Sequence, residues 1–439
     1  MNWQRFIFIL CLTVATGCAP KKQSGSAIPA QDLQRICVNR LTQVIVYDIF
    51  TPPVAARIYA YTNLSWYEAI RHLAHAPSIT EGLRDFTPMP SPQKNEQYNF
   101  YVAALTAFFT TAKKFTFSKD SLRLTEENLL GTFQRSVDET VYKNSIAFGI
   151  AVSEAVLQRA AADNYTQSRS KPKYSVFRGK HQWEQTPPDY ADAVEPWWHT
   201  IKPLLLDSAS QCAAPPPPAY NLDKNSHYYK ELLEVYRTSK SLTPQQDSIA
   251  VYWDDNPFVT THTGHLTYAT KKTTPPGHWM GIVGILSAQQ KLLPVQTARL
   301  YALTSAAMFD SFISCWYNKY TTLMMRPITV LRQQLDPVWS SRLQTPPFPE
   351  YTSGHSVITA AAATVLTHYL GHAVAFTDTT ELQYLGMQRT YSSVWEAANE
   401  AAISRLYGGI HFRSAIEQGQ AQGRRIGERY VQEFSTAHQ

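Results

Sequence analysis

Apolar positions recur with a helical period along most of this chain. Residues 293–316 form a long run of that kind, residues 353–369 a second and residues 391–406 a third. Ser136-Val137-Asp138-Glu139 reads as a capping box opening a helix that runs to about Ala161. Thr243-Pro244 supplies a cap and a first-turn proline before Ile249-Ala250-Val251-Tyr252-Trp253. Alternating runs bounded by turn residues are few, so little sheet is expected. The pattern predicts an all-α protein. It breaks at residues 168–190, at the CAAPPPP of residues 212–218, and again at residues 273–277 and 344–349. The proline run is read as a loop inside one domain, because the helices on either side are too apolar to stand alone.

The amino-terminal stretch MNWQRFIFILCLTVATGCAPKKQSGS has a different pattern. Arg5 precedes an apolar core, Phe6 to Val14, that is too short to span a bilayer and reads as a secretion signal. Ala15-Thr16-Gly17-Cys18 resembles a bacterial lipoprotein cleavage site. The expectation is a signal peptide over residues 1–17, a lipid on Cys18, a tether over 18–31 and one catalytic domain over 32–436. The mature protein would then sit in the cell envelope, in the periplasm or at the outer membrane, touching the membrane only through the lipid on Cys18.

Composition narrows the partners. The chain has 439 residues, 44% of them hydrophobic, and a formal charge of +6. Its basic residues are dispersed in singles and pairs, so a nucleic-acid partner has no support. Beyond Cys18 there are Cys37, Cys212 and Cys315, an odd number with no metal-binding spacing, which leaves one bridge or none.

Three short patterns carry chemistry. They are Lys319-x6-Arg326-Pro327, Ser353-Gly354-His355, and Ser404-Arg405-x5-His411. Together they offer three cations, a hydroxyl, a glycine whose backbone permits close approach at the start of a helix, and two imidazoles. Guanidinium forks bind oxygen pairs, and a helix N-terminus favours negative charge. Such a set suits a tetrahedral oxyanion. Any one of these residues alone is more readily a cap, a surface ion pair or a satisfied core group. Three buried cations without an anion would be costly, so the ordered set argues for one.

The series resembles the superfamily of type 2 phosphatidic acid phosphatases and vanadium-dependent haloperoxidases. Pro52 to Tyr61, Trp253-Asp254-Asp255-Asn256-Pro257 and Pro276-Gly277-His278-Trp279 look like segments of its bacterial haloperoxidase branch. The resemblance implies a large helical bundle of that type, with vanadate as cofactor and hydrogen peroxide and a halide as substrates. His411 would ligate vanadate directly. Lys319, Arg326, Ser353, Gly354 and Arg405 would hold its oxygens. His355 would take a proton from hydrogen peroxide, and Lys319 would polarise the peroxide. Phe348 matches a position lining the halide pocket, and iodide or bromide is the favoured halide. The same pocket implies an alternative, acid phosphatase chemistry through a phospho-histidine at His411. A third reading is a lipoprotein that only binds an oxyanion.

One departure stands out. The family's H-x3-D, whose acid orients the histidine, has Ala415 in the acid's place here, and the next acid is Glu417. Glu396 or Glu400 is the expected substitute. His262, His265 and His278 with Asp254 and Asp255 form a weaker metal candidate, with loop packing preferred. His278-Trp279 is expected at the pocket mouth, Trp253 in the core, and Tyr59 and Tyr61 in packing.

Overall fold

The computed structural model describes residues 29–174 and 179–435; the signal-like segment and Cys18 lie outside them. Helices dominate. In order they are α1 (Leu33–Tyr47), α2 (Pro52–Ile70), α3 (Phe100–Phe115), α4 (Lys119–Gln134), α5 (Glu139–Ala161), α6 (Tyr165–Arg169), α7 (His227–Lys240) and α8 (Pro244–Tyr252). They continue as α9 (Pro275–Gln289), α10 (Pro294–Thr322), α11 (Pro327–Gln334), α12 (Gly354–Leu370), α13 (Leu382–Leu385), α14 (Val394–Tyr407) and α15 (Arg413–Ser435). Two antiparallel hairpins complete the set. β1 (Phe258–Thr263) pairs with β2 (Leu266–Lys271), and β3 (Phe376–Asp378) with β4 (Arg389–Tyr391). Both the helical class and the scarcity of sheet match the pattern of the sequence. No described helix is long and apolar enough to cross a membrane.

The core lies where mainly apolar helices are buried on every face. α2 is buried from Pro53 to Ile70, and α10 is buried almost continuously from Val295 to Lys319. A helix without a polar face must be enclosed by others. α2 packs on α3 and α10, and α10 on α12, which is sheathed in turn by α14 and α15. α15 lies unusually near α12. A Cβ at Gly423 would stand 2.0 Å from the carbonyl oxygen of Val357, and one at Gly419 would stand 2.9 Å from Ser356 Cβ. Only a residue without a side chain permits that approach, and it seats α15 against the first turns of α12.

Local chemistry explains the helix ends. Thr243 caps α8 as predicted, and forms a full capping box there, its hydroxyl accepting from the Gln246 N–H and the Gln246 side-chain oxygen accepting from the Thr243 N–H. At α5 the cap is Asp138 rather than Ser136. The Asp138 carboxylate accepts from the N–H groups of Thr140 and Val141, while the Ser136 hydroxyl donates to the carbonyls of Thr132 and Phe133. α10 runs six residues past the expected Trp316, which puts Lys319 on its last turn. Tyr391 belongs to β4, so α14 starts at Val394. Cys37, Cys212 and Cys315 are all buried free thiols.

Candidate active site

The three patterns converge through segment ends. Lys319 closes α10, and Arg326 immediately precedes α11. Ser353 caps α12, its hydroxyl accepting from the Ser356 N–H at 3.4 Å. The first N–H bonded back along this helix is that of Val357, to the Ser353 carbonyl, so the N–H groups of Gly354 and His355 belong to the open first turn. Arg405 sits in the last turn of α14, and His411 in the short link to α15. The Ser353 N–H donates to the Ala415 carbonyl at 3.0 Å, fastening the first turn of α15, just after that link, to the start of α12.

The three cations are buried and unequally satisfied. Lys319 Nζ donates to the carbonyls of Pro349, Glu350 and Thr352 at 2.9, 3.0 and 2.6 Å. All three of its protons are thereby used, so an anion would have to displace a carbonyl to bond it directly. Burial pulls this ammonium down to about 7, with Arg326 adding to the effect. Arg326 Nε donates to the Phe348 carbonyl at 2.8 Å and Nη1 to that of Ile410 at 2.9 Å. Arg405 Nη1 donates to the Asp254 carbonyl at 3.3 Å and lies 3.1 and 3.0 Å from the two ring nitrogens of His355. Arg326 Nη2 and the Nε and Nη2 of Arg405 are buried with no protein acceptor. Charged donors left unmatched in a protein interior are expensive, and these need an external acceptor. A tetrahedral oxyanion supplies several acceptors at once, so the residues fit vanadate or phosphate.

His411 is held by an acid that sequence reasoning missed. Its Nδ1 lies 2.8 Å from Glu350 Oε1, which also accepts the Phe412 N–H at 2.9 Å. On the other edge, Arg326 Nη1 approaches Nε2 at 3.2 Å. An arginine can only donate, so Nε2 carries a lone pair and the ring proton sits on Nδ1, toward Glu350. Burial, then Arg326, Lys319 and Arg405, push the imidazole well below its ordinary range, keeping it neutral. Burial also lifts Glu350 to about 8 against the pull of the same cations. Glu350 thus stands in for the acid absent at 415. Glu396 and Glu400 do not. Glu396 accepts from the Ser392 N–H and hydroxyl, while Glu400 binds Trp253, Arg389 and Tyr391. The signal was three residues before Ser353, in Phe-Pro-Glu-Tyr-Thr-Ser-Gly-His.

His355 has another kind of support. Its Nε2 is 3.6 Å from Asp255 Oδ2, within ion-pair reach but too long for a hydrogen bond. Burial and then Arg405 lower it to about 4, so this ring is neutral as well. It keeps 14% of its side-chain surface exposed against 4% for His411, and so is the more accessible of the two. Asp255 is bonded in turn to His278, at 2.9 Å from Nδ1. His278 and Trp279 are fully buried and do not line the pocket mouth as expected.

A cavity of about 480 Å³ opens above these groups. Gly354, His355, Arg405 and His411 form its polar floor, and Phe312, Trp316 and Phe348 its apolar wall. Phe348 lies 5.0 Å from the Trp316 ring, with Lys319 Nζ and Arg326 Cζ each 4.9 Å from its centroid. The weaker metal candidate dissolves. His262 projects from β1 to Asp189, His265 is in the exposed hairpin turn, and only His278 meets Asp255. Trp253, Tyr59 and Tyr61 are core residues, as expected.

Comparison with known proteins agrees with the fold. Residues 299–439 match the family described as the VCPO second helical-bundle domain. A solved bacterial vanadium-dependent iodoperoxidase superposes with a TM-score of 0.87 at 39% identity, over 92% of this chain and 96% of that one. A bacterial vanadium-dependent chloroperoxidase in its holo form shares the fold, with a TM-score of 0.64 at 15% identity, over 89% of this chain and 94% of the other. No curated protein matches the chain.

Proposed function

The chain belongs to the vanadium-dependent haloperoxidase family, and on that premise we propose that it oxidises iodide, and bromide less readily, with hydrogen peroxide to the hypohalous acid. The observation that carries the reading is the set of unmatched guanidinium protons on Arg326 and Arg405 beside the lone pair of His411 Nε2. Vanadate bound there supplies Lewis-acid activation of the peroxide. The chain's own residues do the rest. His411 Nε2 offers the ligating lone pair, with Glu350 fixing its tautomer. Arg326, Arg405, the Ser353 hydroxyl and the first-turn N–H of Gly354 bind oxygens. His355, neutral and accessible, accepts the proton that hydrogen peroxide gives up. Lys319 adds positive charge from beneath the loop carrying Phe348.

The halide assignment rests on the wall. Iodide is large, polarisable and weakly hydrated, so it gives up least on leaving water for an aromatic surface. Phe348 and Trp316 present such a surface with two cations behind it. The relative at 39% identity is an iodoperoxidase. We take residues 32–436 as one catalytic unit, because the cavity draws on Thr51 and Pro52 as well as on His411. We also assign the amino terminus to export and lipidation at Cys18, which tethers the enzyme in the envelope.

The test uses the form beginning after Cys18, stripped of metal and reloaded with orthovanadate. Vanadate-dependent iodide oxidation above bromide oxidation is expected. Equal activity with and without vanadate would overturn the assignment. Glu350 also gives the phosphatase reading a specific footing, since an oriented His411 suits a phospho-histidine. Hydrolysis of p-nitrophenyl phosphate by the vanadate-free chain, inhibited by added vanadate, would move the protein to that side.

A further inference from the structure

Behind His355 lies a buried charge cluster that the oxidation reaction does not by itself require. Asp255 follows α8, His278 is in the first turn of α9, Asp378 ends β3 and Glu381 comes just after it. All four are buried. His278 Nδ1 is 2.9 Å from Asp255 Oδ1, and its Nε2 is 2.8 Å from Asp378 Oδ2. Glu381 Oε1 is 3.7 Å from Nδ1. The ring stacks on Trp253 at 4.4 Å and meets the edge of Tyr252 at 5.5 Å. The Thr380 N–H and hydroxyl pin the other oxygen of Asp378 at 3.0 and 2.7 Å.

The spacing resembles a cation site, since Asp255, His278 and Glu381 place ligand atoms within 4.8 Å of one another. The hydrogen bonds argue otherwise. Both ring nitrogens face carboxylate oxygens, so both must donate, and no lone pair remains for a metal. A ring donating on both sides is an imidazolium. Burial opposes that charge, but Asp255 and Asp378 override it and raise the ring well above its usual range. Burial likewise opposes ionisation of Asp255, and His278 overrides it. Burial lifts Glu381 well above the usual carboxylate range, against the pull of His278. One oxygen of Asp255 is thus spoken for by His278, while the other is buried without a hydrogen bond and faces His355. Asp255 also carries a φ of 43°, a left-handed conformation that costs energy outside glycine and persists where surroundings impose it.

We propose that His278 is a positioning residue for the acid–base step: clamped between Asp255 and Asp378, it holds the Asp255 carboxylate charged and aimed at His355. The claim rests on the proposed role of His355. A negative neighbour strengthens His355 as a base. The groups facing these rings are Arg405 and His411 beside His355, Asp255 between the two, and Asp378, Glu381 and Tyr252 around His278. Without the cation at 278, Asp255 takes up a proton more easily; His355 loses that attraction, which outweighs the weaker direct repulsion from the 278 ring, and becomes a weaker base. The acidic limb of kcat/KM for peroxide then moves to lower pH, and KM for peroxide rises.

The experiment is a double-mutant cycle on the vanadate-loaded enzyme with His278→Gln and Asp255→Asn. His278→Gln is expected to raise the peroxide KM about tenfold, shift the acidic limb downward, and leave vanadate affinity within about twofold. The double variant should be no worse than Asp255→Asn alone, because the two act through one carboxylate. Additive losses, or an unmoved limb and KM, overturn the proposal. Should His278→Gln fail to fold, Asp378→Asn weakens the same clamp and should move the limb the same way by less. An independent readout uses the vanadate-free chain. Nitrogen-15 NMR of labelled histidines should show the 278 ring still doubly protonated where a free imidazole has lost its second proton, and a neutral ring there sinks the idea. A parent without vanadate-dependent oxidation would fell the functional reading, while the NMR would still decide whether the clamp exists.

Discussion

Two imidazoles face the same cavity, and they are supported in opposite ways. His411 has one carboxylate at hydrogen-bond distance and a guanidinium on the far side. Its proton has one place to be, and the ring is nearly sealed. His355 has no carboxylate at hydrogen-bond distance, keeps more exposure, and takes its negative neighbour at 3.6 Å from a cluster drawn from three segments. A ligand needs a fixed lone pair, so a short rigid partner suits it. An acid–base group must gain and lose a proton, so a longer-range field suits it better than a tight bond. Similar residues are thus separated in role by how their partners are arranged.

That contrast can be broken from either side. The largest expected effect is at His411→Ala, which removes the lone pair and should reduce both halide oxidation and vanadate uptake to background, read by halide assay and equilibrium dialysis. His355→Ala should lower kcat/KM for peroxide by roughly 10²–10⁴-fold while vanadate still binds, read by the same two measurements. Glu350→Gln sharpens the comparison. It should weaken vanadate affinity by roughly 10–100-fold and leave the peroxide KM of the loaded enzyme unchanged. A peroxide effect without an affinity effect would mean that Glu350 serves the wrong histidine. The smallest effect is thermodynamic. Orthovanadate at about 100 times its Kd should stabilise the chain by about 2.7 kcal/mol, seen as a higher melting temperature, and Arg405→Ala should shrink that gain.

The bundle and the three patterns were legible because each is local. Helical period, the cap at Thr243 and the Ser353 turn lie within a few residues, and Arg405 falls at a helix end that the period marks. Glu350 was not legible as the partner of His411, although it stands near Ser353. The pairing spans 61 positions and depends on how the link after α14 folds back onto the loop before α12. His278 was misplaced for a similar reason. Its neighbours in sequence suggested a pocket mouth, but Asp378, 100 positions away, draws it inward. The cap of α5 was missed by two residues because Ser136 had a competing acceptor in the preceding helix.

Lys319 shows how far a side chain's effects can outrun its chemistry. Its ammonium fastens three carbonyls of the loop between Phe348 and Ser353 to the end of α10. That loop carries the halide wall on one side and the partner of His411 on the other. Cutting the fastening frees both, so the rate lost on replacing Lys319 will overstate what its charge does to the reactants. The lysine is a seam in the protein before it is a reagent, and only a substitution that keeps the seam closed can tell the two apart.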